Sequence, residues 1–153
     1  MTIVHETIIL ERRYDYDATP ERVFGAFADP TVKALWFHGP EDWPTQGEGT
    51  FDFREGGLET SASGPLGGDL CYYTARYTDI VPNQRIIFHY EMSRFGRRMS
   101  VSVQSIEFFE EDGGTRLVLT DQGAYLDGLD NPQQRRSGID PQLDQLAKAL
   151  IDG

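Results

Sequence analysis

From Gly47 to Leu119 the apolar residues keep a period of two, which makes an antiparallel sheet the main body this chain can build. Phe51 and Phe53 share one face, opposite Asp52 and Arg54. Leu70–Ile80 carries Cys71, Tyr73, Ala75 and Tyr77 on one parity, and Ile86, Phe88, Tyr90 and Met92 alternate with Ile87, His89 and Glu91. Turn signals separate these runs: Gly56-Gly57, Pro82-Asn83, a polar hairpin around Arg94–Arg98, and Glu111-Asp112-Gly113-Gly114. Thr60–Gly68 reads as a hairpin or loose loop. Met99, Val101 and Val103 occupy odd positions, whereas Ile106 and Phe108 occupy even ones. A β-bulge near Gln104-Ser105 is the expected reason. Leu117 and Leu119 continue on a further strand.

The two ends differ. Val4–Asp15 reads as a half-buried strand, with Ile8, Leu10, Arg12 and Tyr14 on one parity. Thr19 as N-cap and Pro20 at the first helical position then open a helix with Val23, Phe24, Ala26 and Phe27 as its stripe. Asp29-Pro30 stops it and opens a second short helix that ends near Trp36-Phe37, before Gly39-Pro40. Gly123–Asp130 reads as a loop. Asn131-Pro132 offers a helix start interrupted by Gly138 and Pro141. Leu143, Leu146, Ala147 and Leu150 then have the spacing of an amphipathic helix.

This order implies an α+β fold. It has a strand, two short helices, a curved antiparallel sheet of six or seven strands in all, and a C-terminal helix, within a single domain over residues 1–153. A curved sheet around the last helix buries its stripe and leaves a cavity where the two diverge.

Several function classes are excluded at this level. Lys and Arg number 14 against 25 Asp and Glu, a net charge of −11. That is the wrong sign for a general nucleic-acid binder or for docking on anionic lipid. No segment approaches the roughly 18 uninterrupted apolar residues of a membrane span, and Met1–Leu10 has no signal-peptide pattern, so a cytoplasmic protein is expected. Cys71 stands alone in its strand and reads as a small buried apolar group. His5, His38 and His89 have no metal-ligand spacing, so no metal and no cofactor are expected. Gly56–Gly68 lacks the Gly-Lys-Ser/Thr ending of a phosphate cradle. Asp52, Glu91 and Glu107 fall on the outward parity, and Arg97-Arg98 and Arg135-Arg136 read as solvated surface. No catalytic set is therefore assigned.

The chain resembles the SRPBCC superfamily, which has the helix-grip fold of START-type lipid-binding domains and birch-pollen allergens. Within it, the resemblance is to the branch related to the C-terminal domain of the activator of heat-shock protein 90 ATPase. Tyr16-Asp17-Ala18-Thr19-Pro20-Glu21-Arg22-Val23-Phe24 is similar to the family's strand-to-helix junction. Asp29-Pro30 with Trp36-Phe37 and Gly39-Pro40 is similar to its second helix. Asp52-Phe53-Arg54-Glu55-Gly56-Gly57 is its most recognisable stretch. Tyr77–Pro82 with Arg85-Ile86, Gly113–Leu117 and the helix Leu143–Leu150 complete the match, and Gly123–Gly128 is similar to a variant in some bacterial members. One departure is that Ile139, not an aromatic residue, follows Gly138, with Asp140-Pro141 next, which predicts a late start or a kink in that helix.

Nine Phe, seven Tyr and two Trp suit either an aromatic-rich core or a ring-lined cavity. The resemblance favours a cavity and implies a small apolar or aromatic ligand. Parity and helical spacing nominate Trp36, Phe51, Phe53, Tyr73, Tyr77, Phe88, Tyr90, Val101, Leu119, Leu143 and Leu146 as its walls. Two alternatives stand beside it. One is a protein-interaction module with a chaperone or other basic protein partner, as the resemblance implies. The other is an enzyme of the polyketide cyclase or aromatase type, which needs an ionisable residue inside the cavity. Edge strands and an aromatic surface are compatible with a homodimer.

Overall fold

A seven-stranded antiparallel sheet runs through the computed structural model, which describes residues 2–15 and 17–152. Chain order is β1 (Ile3–Tyr14), α1 (Pro20–Ala28), α2 (Pro30–Trp36), β2 (Thr45–Phe51), β3 (Leu58–Ser63), β4 (Cys71–Val81), β5 (Arg85–Arg94), β6 (Arg97–Glu111), β7 (Gly114–Leu126) and α3 (Pro132–Asp152). The strands lie side by side as β1-β7-β6-β5-β4-β3-β2. This is the α+β helix-grip arrangement that the alternation and the resemblance imply. Tyr16, the first residue of the strand-to-helix motif, lies outside the described residues.

Local chemistry sets the helix boundaries. Thr19 accepts a hydrogen bond from the Arg22 amide, and Asp29 caps α2 through the Thr31 amide while ending α1. Both helices begin with proline, where a missing N–H costs nothing. In the Asp52–Gly57 stretch Gly56 has φ +86°. A Cβ on Gly57 would stand 2.0 Å from the Asp52 carbonyl, so this turn requires both glycines.

Three local expectations are corrected. Thr60–Ser63 belongs to β3, paired to β4, and is not a loose loop. The β6 strand keeps one inward parity from Ser100 to Phe108 and pairs with β7 without a shift. The irregularity in its pairing with β5 falls at Met92/Ser93, beside the hairpin, and not at Gln104-Ser105. Finally, α3 runs unbroken through Gly138 and Pro141. Proline removes one backbone donor there, and the packing of the helix outweighs that loss.

The core lies between the concave sheet face and the helices, which pack chiefly on β1, β6 and β7 and on one another. Val23, Leu117, Leu143 and Leu146 are fully buried in it. The Tyr14 hydroxyl donates to the Leu143 carbonyl at 2.9 Å, tying α3 to β1. No helix among the described residues is long and apolar enough to cross a membrane.

Candidate functional site

Strand alternation and the inward stripes of α1 and α2 bring eleven aromatic rings together in the interior, and ten of them close into a circuit. The sequence of neighbours is Phe53, Phe24, Phe108, Phe27, Trp36, Phe37, Tyr73, Tyr90, Phe88, Tyr77 and back to Phe53, with Phe51 packed on Phe53 and Tyr77. Centroid distances around the circuit run from 4.7 Å (Phe27–Trp36) to 5.8 Å (Phe88–Tyr90), and most pairs meet edge to face or tilted, as the ring quadrupole favours. Phe37, Phe51, Phe53 and Tyr73 are only half-buried. They lie toward β2, β3 and β4, away from the strands on which the helices chiefly pack.

Two polar clusters are set into this apolar interior. In the first, the Lys33 ammonium of α2 donates to Glu59 Oε1 of β3 at 2.6 Å and to the Tyr77 hydroxyl at 3.2 Å. Tyr77 in turn donates to Glu59. Lys33 Nζ also lies 4.4 Å from the Phe37 ring centroid and 5.0 Å from that of Phe51. Burial lowers the Lys33 pKa, a shift that Glu59 partly offsets.

The second cluster joins α3 to β5, β6 and β7. Arg135 donates through Nη2 to Ser100 Oγ at 3.0 Å and to Asp130, and through Nη1 to the Tyr90 hydroxyl at 2.9 Å. Its guanidinium lies 5.3 and 5.4 Å from the ring centroids of Tyr90 and Tyr125. Tyr90 donates to Asp121 Oδ2 at 2.6 Å, and Gln104 Nε2 donates to the same oxygen at 3.0 Å. Burial alone would lower the Arg135 pKa, but Tyr90, Asp130 and Asp121 around it leave it raised. Burial pushes Tyr90 well up and Tyr125 up to about 12.

Two atoms of the second cluster make no hydrogen bond among the described residues: Asp121 Oδ1 and the Tyr125 hydroxyl. Asp121 is 0% exposed and Tyr125 1%. Asp121, Gly123 and Tyr125 project inward from β7 in succession. A Cβ on Gly123 would stand 3.0 Å from Cε2 and Cζ of Tyr125, so the tyrosine ring lies back over the glycine, toward Asp121.

Ten of the eleven nominated wall residues are on the inner side. Tyr77, Phe88, Tyr90, Leu119, Leu143 and Leu146 are buried, and Phe51, Phe53 and Tyr73 are half-buried. Trp36 is buried, with its indole N–H donating to the Ala26 carbonyl at 2.9 Å. Val101 is corrected. It is 43% exposed on the outer sheet face, because even positions of β6 turn inward without interruption. There it borders an open depression of about 600 Å³, with His5, His89 and Val103. Arg135 is corrected in the opposite sense, since it is 7% exposed and not solvated surface. Cys71 is buried as expected, and burial raises its pKa. No cluster of three metal-ligating side chains occurs among the described residues.

The interior charges lie outside the nominated residues, although three of them stand at spacings compatible with an inward position. Arg135 precedes Ile139, Leu143, Leu146 and Leu150 at helical intervals, so it belongs to the buried stripe. Asp121 follows Leu117 and Leu119 on one parity, and the expected loop from Gly123 is corrected, since β7 runs on to Leu126 and carries Tyr125 inward on that same parity. Lys33 stands one turn before Trp36.

The family model described as "Activator of Hsp90 ATPase homolog 1-like protein" matches residues 17–150. A protein from Rhizobium loti of known crystal structure is 38% identical, with a TM-score of 0.88 over 97% of this chain and 99% of that one. An uncharacterised protein from Rhizobium leguminosarum is 37% identical, with a TM-score of 0.90 over 99% and 98%. A protein from Chromobacterium violaceum is 26% identical, with a TM-score of 0.75 over 93% and 95%. No curated protein matches the chain.

Proposed function

Because the chain belongs to the family of activator of Hsp90 ATPase homolog 1-like proteins, we propose that it binds a small apolar or aromatic molecule between the sheet and the C-terminal helix. The observation that carries this reading is the ring circuit with its half-buried members, Phe37, Phe51, Phe53 and Tyr73, on the side away from most helix packing. Large apolar rings left partly uncovered on a concave face are what an apolar guest would cover. The polar clusters at Lys33–Glu59 and Asp121–Arg135 would orient it.

Native mass spectrometry of freshly purified protein, repeated after denaturation, tests the reading together with a titration of naphthalene followed by tryptophan fluorescence. An added mass lost on denaturation, or saturable quenching, is expected. A bare polypeptide mass with no quenching overturns it.

A second reading, an acid–base enzyme of the cyclase or aromatase type, is favoured by the fully buried carboxylate of Asp121 with one free oxygen. In that case the wild-type protein and Asp121→Asn would carry molecules of different mass. Identical bound masses would sink it.

A further inference from the structure

We infer that the ligand presents a hydroxyl group, received by Asp121 and Tyr125 of β7, and that an anionic ligand is rejected. This rests on the ligand-binding reading above and names the chemistry of the group that the interior accepts.

Arg135 Nη1 donates to the Tyr90 oxygen, so the single proton of Tyr90 is free to go to Asp121 Oδ2. Gln104 brings a second donor to the same oxygen. An oxygen that receives two donors has both lone pairs engaged, so a ligand meets this carboxyl group through Oδ1. The Tyr125 hydroxyl can both donate and accept. Both atoms are buried and unpartnered among the described residues. A buried acceptor without a donor is costly, and a matching ligand group removes that cost.

Geometry adds the second constraint. Asp121 and Tyr125 flank Gly123 on the inner face, each one alternate-residue step of about 7 Å from it along the strand. The Tyr125 ring lies over that glycine, which brings its hydroxyl end toward the carboxylate. A ligand hydroxyl donating to Asp121 Oδ1 leaves its own oxygen to accept from Tyr125. A carboxylate has no proton to give and would face Asp121 directly.

Charge points the same way. Among the described residues the buried cations are Lys33 and Arg135, and the buried carboxylates are Glu59, Asp121 and Asp130. Lys33 is bonded to Glu59, and Arg135 to Asp130. Asp121 has no cation of its own, and both buried cations are already engaged, so the interior offers an anion no free partner.

The test compares three probes of one shape by calorimetry: naphthalene, naphthol and naphthoate. Naphthol is expected to bind roughly tenfold or more tightly than naphthalene, and naphthoate more weakly than either. Tyr125→Phe and Asp121→Asn should each erase most of the naphthol preference while naphthalene binding persists. Tyr125→Phe removes a hydroxyl with no protein partner, so it keeps the test valid if Asp121→Asn fails to fold. Equal binding of naphthol and naphthalene would overturn the inference and leave the pair as a seat for one solvent molecule. Preference for naphthoate would also overturn it. Binding of none of the three would instead overturn the ligand-binding reading on which it rests.

Discussion

Arg135 shows how much one side chain can organise. It bridges Asp130, Ser100 and Tyr90, and lies between two tyrosine rings at 7% exposure. Arg135→Met removes the cation and leaves the Asp130 carboxylate buried without it, for which a loss of about 3–5 kcal/mol is expected. Urea unfolding checks this, and a loss below about 1 kcal/mol would contradict the buried pairing. Tyr125 is the converse case. Its hydroxyl has no partner among the described residues, so Tyr125→Phe should leave stability unchanged or raise it by about 1 kcal/mol, a Tm rise of about 2–4 °C. A substitution that stabilises the fold while weakening a ligand is the mark of a residue kept for binding. Cys71 is buried and its thiol is pushed up by burial, so thiol reagents should label it only as the chain unfolds. Rapid labelling of the native protein would contradict that.

Among the elements, α3 is where sequence reading and structure part most clearly. Gly138 and Pro141 each weaken a helix in isolation, and on local propensity an interruption follows. The helix nonetheless runs from Pro132 to Asp152. Leu143 and Leu146 are buried against the sheet, Tyr14 bonds the Leu143 carbonyl, and Arg12 pairs with Asp140 and Asp144 along its outer side. These contacts are made with β1, more than a hundred residues away in sequence, which is why no local window contains them. A methyl group at Gly138 would meet nothing within 4 Å. Gly138→Ala should therefore raise stability by about 0.5–1 kcal/mol through the lower entropy of the unfolded chain. Thermal or urea denaturation checks it, and destabilisation would show that the glycine is needed at that turn. In β6 the apolar pattern misleads for another reason. Met99, Val101 and Val103 share one apolar parity, which predicts an inward Val101. The strand instead turns Ser100, Ser102 and Gln104 to the interior, because Arg135 and Asp121 await them there.

At the scale of the whole molecule the buried tyrosines, with the half-buried Tyr73, set the response to alkali. Burial is the largest cause in raising the phenols of Tyr14, Tyr73, Tyr77, Tyr90 and Tyr125. Below about pH 10 each is protonated in the folded and unfolded chain alike. Above that, the unfolded chain releases protons that the folded one retains, so stability falls as pH rises toward the raised folded values. Phenolate absorbance followed with circular dichroism should show these five titrating together with loss of structure. Smooth titration of all of them in an intact fold would contradict their burial. The sequence by itself determined an antiparallel alternation of six or seven strands, the caps of α1 and α2, the glycine turn at Gly56-Gly57 and the inner position of ten of the eleven nominated residues, since each follows from periods and backbone limits that act over a few residues. Only the tertiary structure decided that Lys33, Glu59, Asp121, Asp130 and Arg135 lie inside. A charged side chain is buried when a partner meets it there, and apart from the Asp130–Arg135 pair, five residues apart, those partners come from α2 and β3, or from β5, β7 and α3, segments that only the folded sheet brings together.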